Sequence, residues 1–179
     1  RPLIFYTIKP ALKIKKDGLV SEVIISTDSQ RIADISKKLG ANVPFLRPEN
    51  ISGDKAKSID FILHAINYFE KKEIFYDHIV LLQPTSPLRK YEDIKNAINF
   101  YLKNKNDSLI SAYCEEGISE SIIYTKNKNL AIPLLPEHSK GKRRQDSKDI
   151  FVRNGAIYII SVKYIKKHHR IISDRPLLF

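Results

Sequence analysis

Two nearly continuous apolar stretches constrain the fold more than any other feature of this chain. Val20–Ser26 is rich in β-branched residues, and His78–Leu82 repeats that character. Each is followed by a segment whose apolar residues recur every three or four positions, the spacing of an amphipathic helix. Strands that are apolar throughout alternate with helices where helices cover both faces of a mostly parallel sheet. The alternation therefore predicts an α/β fold.

Further elements extend this alternation along the chain. Thr27-Asp28-Ser29 can cap a helix that runs to Leu39, and Gly40 follows where the end of a helix is expected. In such folds, ligands bind at the carboxyl ends of the strands, so the loops after Ser26, Leu46 and Leu82 are candidate binding loops. The other predicted helices lie near 59–69, 92–101 and 162–168, and the other strands at 43–46, 108–114 and 155–160.

The rhythm breaks between residues 112 and 150. Segments 121–125 and 130–135 have the pattern of a hairpin, and a polar loop rich in basic residues follows them. The 179 residues are of ordinary length for one domain. We therefore expect a single domain over 1–179 that carries an excursion at 112–150.

The charge balance favours anionic partners. The formal net charge is +11 at pH 7, which suits phosphates, acidic sugars or nucleic acid. Most lysines, however, are spread over helical stretches, and aromatic and basic residues do not interleave as they do in a base-stacking surface. We therefore expect no nucleic acid partner, and salt-dependent binding to DNA or RNA stays as an alternative to test.

The number of cysteines and the length of the apolar runs indicate the compartment in which the protein resides. The single cysteine, Cys114, cannot form an internal disulfide, which suits a reducing compartment. The longest apolar runs, such as Ile79–Leu82, are far shorter than the ~20 residues of a membrane helix. We expect a cytoplasmic protein with no membrane partner.

The loop Leu81–Arg89 concentrates hydrogen-bonding groups at the end of a predicted strand. Two prolines stiffen it, and Gln83, Thr85, Ser86 and Arg89 supply donors within a short distance. Such a loop can hold a polyhydroxylated, anionic ligand. A rigid turn whose polar groups are satisfied within the protein is equally compatible with this composition.

Five segments carry a resemblance to a known family. They are STD at 26–28, VPFLRPENISGDKAKS at 43–58, LLQPTSPLR at 81–89, RRQD at 143–146 and NGAIYI at 154–159. In this order they resemble the acylneuraminate cytidylyltransferases, also called CMP-sialic acid synthetases. The resemblance implies a Rossmann-like, three-layer nucleotidyltransferase fold. It also implies transfer of CMP from CTP to the anomeric hydroxyl of a nine-carbon 2-keto sugar acid, with release of pyrophosphate.

The resemblance assigns a role to eight residues. It implies that Arg144 is catalytic and is donated across the interface of a homodimer, with the 112–150 excursion serving dimerisation. A solvated basic loop is the alternative for Arg144, a surface arginine for Arg47, and a core aromatic for Tyr158. The nucleotide-binding residues implied are Arg47, Ala56 and Ser58, and the sugar-binding residues are Gln83, Arg89, Asn154 and Tyr158.

The chain departs from the family pattern in three places. The N-terminal A-R-x-x-S-K loop and the D-x-D aspartate pair are not found in this sequence, and Asp174 has no partner at that spacing. We therefore expect the domain to lack its N-terminal phosphate-loop strand and C-terminal segment. Mg²⁺ is expected as cofactor, with ligands outside these residues. In addition, Val152 stands where many relatives have arginine, and Arg153 follows it.

Two alternative functions remain open from the sequence. A relative acting on pseudaminic acid, legionaminic acid or an eight-carbon Kdo-type sugar would carry much the same motifs. A non-catalytic module that binds sugar nucleotides is also compatible, because the phosphate and metal segments are not found here. Formation of pyrophosphate from CTP and a sugar acid separates the enzyme from the module.

Overall fold

The structure, a computed structural model, describes residues 1–53, 55–119, 122–139 and 148–179. It divides into two compact units. The first consists of Arg1–Ser111 together with Gly155–Phe179, and the second of Ala112–Asn154. The second unit covers the segment for which the sequence predicts an excursion.

The chain combines helices with strands, as an α/β fold requires, and three of the described α-helices precede the first strand. The helices are α1 (Phe5–Lys16), α2 (Gln30–Lys38), α3 (Ser58–Glu70), α4 (Tyr91–Asn104) and α5 (Val162–His168). The strands are β1 (His78–Leu81), β2 (Ser108–Cys114), β3 (Tyr124–Asn127), β4 (Leu130–Pro133), β5 (Phe151–Ser161) and β6 (Leu177–Leu178).

The main sheet is mixed, with strand order β1-β5-β2-β6. β1 runs antiparallel to β5, where Leu81 faces Tyr158, and β2 runs parallel to β6. Alternate residues of β5 point to opposite faces of the sheet. Ile157 and Ile159 belong to one core cluster, and Tyr158 and Ile160 belong to the other.

Helices cover both faces of this sheet. One core cluster joins the sheet to α1 and α4 through Ile14, Ile94 and Ile98. The other joins it to α3 and α5 through Ile62 and Ile165. The predicted α/β, three-layer arrangement is confirmed, because each face of the sheet buries the apolar side of a separate set of helices.

The helix starts follow from local side chains. The Ser29 hydroxyl accepts a hydrogen bond from the Ile32 N–H at 3.4 Å, so the predicted cap of α2 is confirmed. At α4, the Asp93 carboxylate accepts from the Lys90 N–H at 2.8 Å. At α3, the Asp60 carboxylate accepts from the Lys57 N–H at 3.2 Å. Acids in the first turn also complement the helix dipole.

Helix α1 is an element that sequence reasoning did not predict. Pro10 lies inside it, and proline is a strong argument against a helix interior because it lacks an N–H. The buried residues Thr7, Ile8, Ala11 and Ile14 nevertheless lie on one face at helical spacing. Packing of that face outweighs the local cost of the proline.

The segment predicted as a strand at Val20–Ser26 pairs less than expected. Its described pairing is one isolated parallel bridge, from Ile24 to Asn42, and a second bridge, from Thr27 to Leu46, follows directly after the segment. The partner segment is short, and the residues from Val20 to Asp28 line a cavity. Among the described residues, this segment therefore forms no regular ladder.

The second unit contains a two-stranded hairpin, as the sequence predicts. β3 and β4 pair antiparallel, with Tyr124 opposite Pro133 and Asn127 opposite Leu130. The Tyr124 hydroxyl and His138 Nδ1 lie 3.0 Å apart.

Within the described part of the chain, no helix has the length and apolar character needed to span a membrane.

Candidate functional site

The three loops singled out by the strand pattern line one cavity in the first unit. The cavity has a volume of about 850 Å³. Its polar lining includes Thr27 and Asp28 from the first loop, Arg47 from the second, and Gln83 and Thr85 from the third. The three candidate binding loops therefore border the same cavity. The remainder of the cavity extends between apolar side chains of the core, such as Ile62, Ile94 and Ile159.

Arg47 is held at the cavity by neighbours on several elements. Its Nε donates to the Ser52 hydroxyl at 3.1 Å, and its Nη2 donates to the Asp28 carboxylate at 3.3 Å. The guanidinium also lies over the Phe61 ring, 5.2 Å from its centroid. The side chain is 18% exposed, which leaves part of this planar cation facing the cavity. A fixed guanidinium suits a phosphate or ribose oxygen.

Hydroxyl groups line the same part of the cavity. Ser58 lies in the wall at the first residue of α3. The Ser26 hydroxyl is buried and finds no hydrogen-bond partner among the described residues. Ser26 lines the cavity, and a buried polar atom without a partner is costly. A polar ligand or water in the cavity can supply the missing bond.

Gln83 begins the stiff loop after β1. Its Oε1 lies 2.9 Å from the position that a Cβ atom would take on Gly155, so the amide lies directly against that glycine. The same position is 3.7 Å from the Tyr158 hydroxyl. The amide of Gln83 and the hydroxyl of Tyr158 therefore both lie next to the space that a side chain at position 155 would occupy.

Arg89 faces the protein interior, although the family resemblance implies that it binds sugar. The residue is 7% exposed, and its Nη1 donates to the carbonyls of Gln83 (3.1 Å) and Ala156. Its Nη2 donates to the Thr7 hydroxyl at 3.0 Å. Burial lowers the pKa of Arg89 to about 10, so the group remains charged at neutral pH. The contacts seen here support the loop and leave direct sugar contact a prediction.

The structure places the other predicted residues in different surroundings. Tyr158 is buried in the core cluster of α3 and α5, the alternative that the sequence left open for it. Ala56 is half-buried, and its N–H donates to the Gly53 carbonyl at 2.8 Å. Among the described residues, Ala56 does not line the cavity. Asn154 is exposed and belongs to the second unit. Arg144 lies outside the described residues.

Sequence reasoning did not single out Asp28 or Gly155 as site residues. Asp28 belongs to a predicted helix cap and to the STD segment of the resemblance, but neither pattern assigns it a role at the site. Gly155 figured only as one letter of NGAIYI. Its importance comes from its close contact with Gln83, which lies 72 positions earlier in the chain. No local sequence pattern reveals a contact between residues so far apart.

The magnesium ion expected from the resemblance, with ligands outside this sequence, stays a prediction that the described residues do not test. They include no group of three or more His, Cys, Asp or Glu side chains placed to hold a metal ion. Asp28 is the acid beside Arg47, and its carboxylate already pairs with that guanidinium. These residues therefore do not fit a protein-held magnesium ion.

Comparison with known proteins gives a consistent family. The chain is 32% identical to CMP-N,N'-diacetyllegionaminic acid synthase of Legionella pneumophila, over 99% of this chain and 75% of the relative. It is 31% identical to pseudaminic acid cytidylyltransferase of Campylobacter jejuni, over 88% of this chain and 66% of the relative. It is 34% identical to N-acylneuraminate cytidylyltransferase of Streptococcus agalactiae, over 89% of this chain and 37% of the relative.

A solved structure supports the fold, and a family pattern supports the assignment. CMP:2-keto-3-deoxy-manno-octonic acid synthetase, solved with CTP, superposes with a TM-score of 0.64 over 98% of this chain and 70% of that one. At 15% identity this likeness concerns the fold alone. The pattern of the family described as "Cytidylyltransferase" matches residues 1–171. With these matches and the shared cavity in view, the chain belongs to the cytidylyltransferase family of nucleotidyltransferases.

Proposed function

We propose that this protein transfers CMP from CTP to the anomeric hydroxyl of a nine-carbon 2-keto sugar acid. The observation that carries the proposal is the placement of Arg47 and Gln83 in the wall of one cavity. These residues come from separate loops, 36 positions apart, and the family resemblance gives one to the nucleotide and the other to the sugar. A cavity shared by both groups suits a reaction between two bound substrates.

The proposed reaction needs no covalent intermediate on the protein. The anomeric oxygen attacks the α-phosphorus of CTP, forming a new O–P bond. The bond between that phosphorus and the α,β-bridging oxygen breaks, pyrophosphate departs with that oxygen, and the hydroxyl proton passes to water. The protein contributes by aligning the two substrates and by placing positive charge near the phosphates.

The residues at the cavity suit this division of labour. Arg47 supplies a fixed cation, held by Asp28 and Ser52, for the nucleotide. Ser58 supplies a hydroxyl in the same wall. Gln83 supplies a carboxamide, which can both donate to and accept from sugar hydroxyls. Roles for Ala56, Arg89, Asn154, Tyr158 and Arg144 stay predictions from the resemblance.

The choice of sugar acid rests on the relatives. Relatives named for legionaminic, pseudaminic and N-acylneuraminic acids are 31–34% identical to this chain. The solved structure named for the eight-carbon acid is 15% identical. This difference favours a nine-carbon acid, and the three named acids remain candidates.

We also propose that the protein acts as a homodimer in the cytoplasm. The second unit exposes several large apolar side chains, which is typical of a surface that a partner covers. A second copy of the chain is the occupant that the resemblance implies for this excursion. The exposed apolar residues of this unit include Ile118, Ile122, Tyr124, Leu130, Ile132 and Leu134.

Turnover with a panel of sugar acids tests the proposal. The protein is incubated with CTP, a magnesium salt and one of four acids: N-acetylneuraminic, legionaminic, pseudaminic or Kdo. We expect pyrophosphate and a CMP-sugar with at least one nine-carbon acid and less with Kdo. Binding of CTP without product from any acid would contradict the enzyme and favour the non-catalytic module. Magnesium is varied separately, because the described residues hold no ligand set for it.

Substitution at the cavity tests the division of roles. Gln83→Ala removes the carboxamide and is expected to raise KM for the sugar acid about tenfold, since one to two hydrogen bonds are lost. KM for CTP should stay within about twofold, because Arg47 and Ser58 are untouched. An equal rise in both constants would contradict the assignment of Gln83 to the sugar.

A further inference from the structure

We propose that Gly155 is a positioning residue that fixes the Gln83 side chain and thereby sets the affinity for the sugar acid. The inference rests on the proposed role of Gln83 in binding the sugar. It assigns a function to a glycine that carries no polar side chain. It also gives the buried Arg89 a supporting role in the same arrangement.

The evidence begins with the space next to Gly155. A Cβ atom at this position would lie 2.9 Å from Gln83 Oε1 and 4.0 Å from its Cδ. Real Cβ atoms essentially never approach a heavy atom closer than 3.0 Å. The atom in the way is the end of a flexible side chain, so the carboxamide would move and the backbone would not need to. The missing methyl group is therefore what permits the present position of the Gln83 amide.

Arg89 holds the backbone on both sides of this contact. Its Nη1 donates to the carbonyl of Gln83 and also to the carbonyl of Ala156, the residue after Gly155. One guanidinium nitrogen thus links the first residue of the loop to β5. Because this link fixes the spacing of the two backbones, a larger residue at 155 cannot be relieved by a retreat of the loop. A larger side chain at position 155 would therefore displace the carboxamide of Gln83.

The chain contains a matched control for the backbone. Gly155 and Gly18 both have φ of +74°, a conformation that L side chains rarely adopt. A Cβ atom at Gly18 would meet nothing within 4 Å. Gly18→Ala therefore introduces comparable backbone strain without a steric contact. A difference between the two alanine variants reports the contacts of the added methyl group, of which the contact with Gln83 is the closest.

Steady-state kinetics with both variants tests the inference. Gly155→Ala is expected to raise KM for the sugar acid about tenfold or more, because the displaced carboxamide loses its alignment. KM for CTP should change by less than about twofold, and Gly18→Ala should leave both constants within that range. Equal effects of the two substitutions on the sugar KM would overturn the proposal.

A double substitution shows whether Gly155 acts through Gln83. In Gln83→Ala the carboxamide is gone, so adding Gly155→Ala should produce little further loss. If the two effects on sugar KM multiply, Gly155 acts by another route and the proposal is wrong. Should Gly155→Ala fold poorly, the double variant should recover stability, because the close contact is removed.

A spectroscopic measurement separates this inference from the proposed function. The side-chain amide signals of Gln83, assigned by comparison with Gln83→Ala in ¹⁵N-labelled protein, should shift in Gly155→Ala and stay unchanged in Gly18→Ala. Unshifted signals in Gly155→Ala would sink the inference even if the enzyme is active. Wild-type protein that makes no CMP-sugar would sink the proposed function, while the amide signals would still report the contact.

Discussion

Arg89 provides the most quantitative test of how the binding loop is held. Its guanidinium is buried and bonds to the carbonyls of Gln83 and Ala156 and to the Thr7 hydroxyl. Arg89→Met removes the charge and all three bonds while a similar unbranched stem keeps most of the packing. We expect this substitution to lower the free energy of unfolding substantially.

The expected magnitude follows from the three hydrogen bonds. Bonds to a charged group contribute about 1.5–3 kcal/mol each, and these values already include the cost of removing the charge from water. Burial lowers the pKa of Arg89 to about 10, so this cost is high here and the low end of the range applies. The expected destabilisation is therefore roughly 4 kcal/mol.

Urea unfolding followed by circular dichroism measures this difference. Arg170→Met is the control, because Arg170 is an exposed arginine paired with Asp174, and no measurable change is expected there. The unfolded state holds the Arg89 proton more tightly than the native state, so linked stability changes appear only as the pH rises above about 10. The difference between wild type and Arg89→Met should therefore stay constant from about pH 6 to 9. A loss no greater than that of the Arg170 variant would refute the reasoning.

Three further predictions concern the cavity and the core. Arg47→Ala should raise KM for CTP about tenfold or more and leave the sugar KM within about twofold, because we propose that this cation binds the nucleotide. Asp28→Asn should raise KM for CTP by a smaller factor, because its bond to Arg47 weakens while the Ser52 contact remains; initial rates over a CTP series measure both. Burial raises the pKa of Tyr101 to about 12, so its stabilising contribution is present below pH 10 and is lost as the pH rises through 12. Tyr101→Phe should therefore lose less stability than wild type between pH 9 and 11, measured as the urea midpoint.

The regular part of the fold was predictable from periodicity because each helix buries one apolar face. The apolar positions of α4 anticipated its packing, and Ile94, Ala97, Ile98 and Tyr101 are all buried. Helix α1 was not predictable in this way, because Pro10 has an unfavourable local preference that packing overrides. The Val20–Ser26 segment is the opposite case, in which the local sequence favours a strand but the structure forms no regular ladder there. Its β propensity is strong, but ladder formation requires a neighbour that the segment itself does not determine.

The candidate site shows a different limit, and Gln83 and Arg89 make it explicit. Both belong to one nine-residue motif, and both have the polar character of ligand-binding residues. In the structure Gln83 is one of the residues that line the cavity, whereas the described hydrogen bonds of Arg89 go to Gln83, Ala156 and Thr7. A sequence motif of this kind covers the whole binding loop. Some of its polar residues contact the ligand, and others hold the loop backbone in place through hydrogen bonds within the protein. Residue type alone does not separate these two duties, because a guanidinium satisfies a carbonyl as well as it satisfies a carboxylate. Burial and partners do separate them, so a substitution at Arg89 should disturb stability first and sugar affinity through Gln83, whereas a substitution at Gln83 should disturb affinity alone.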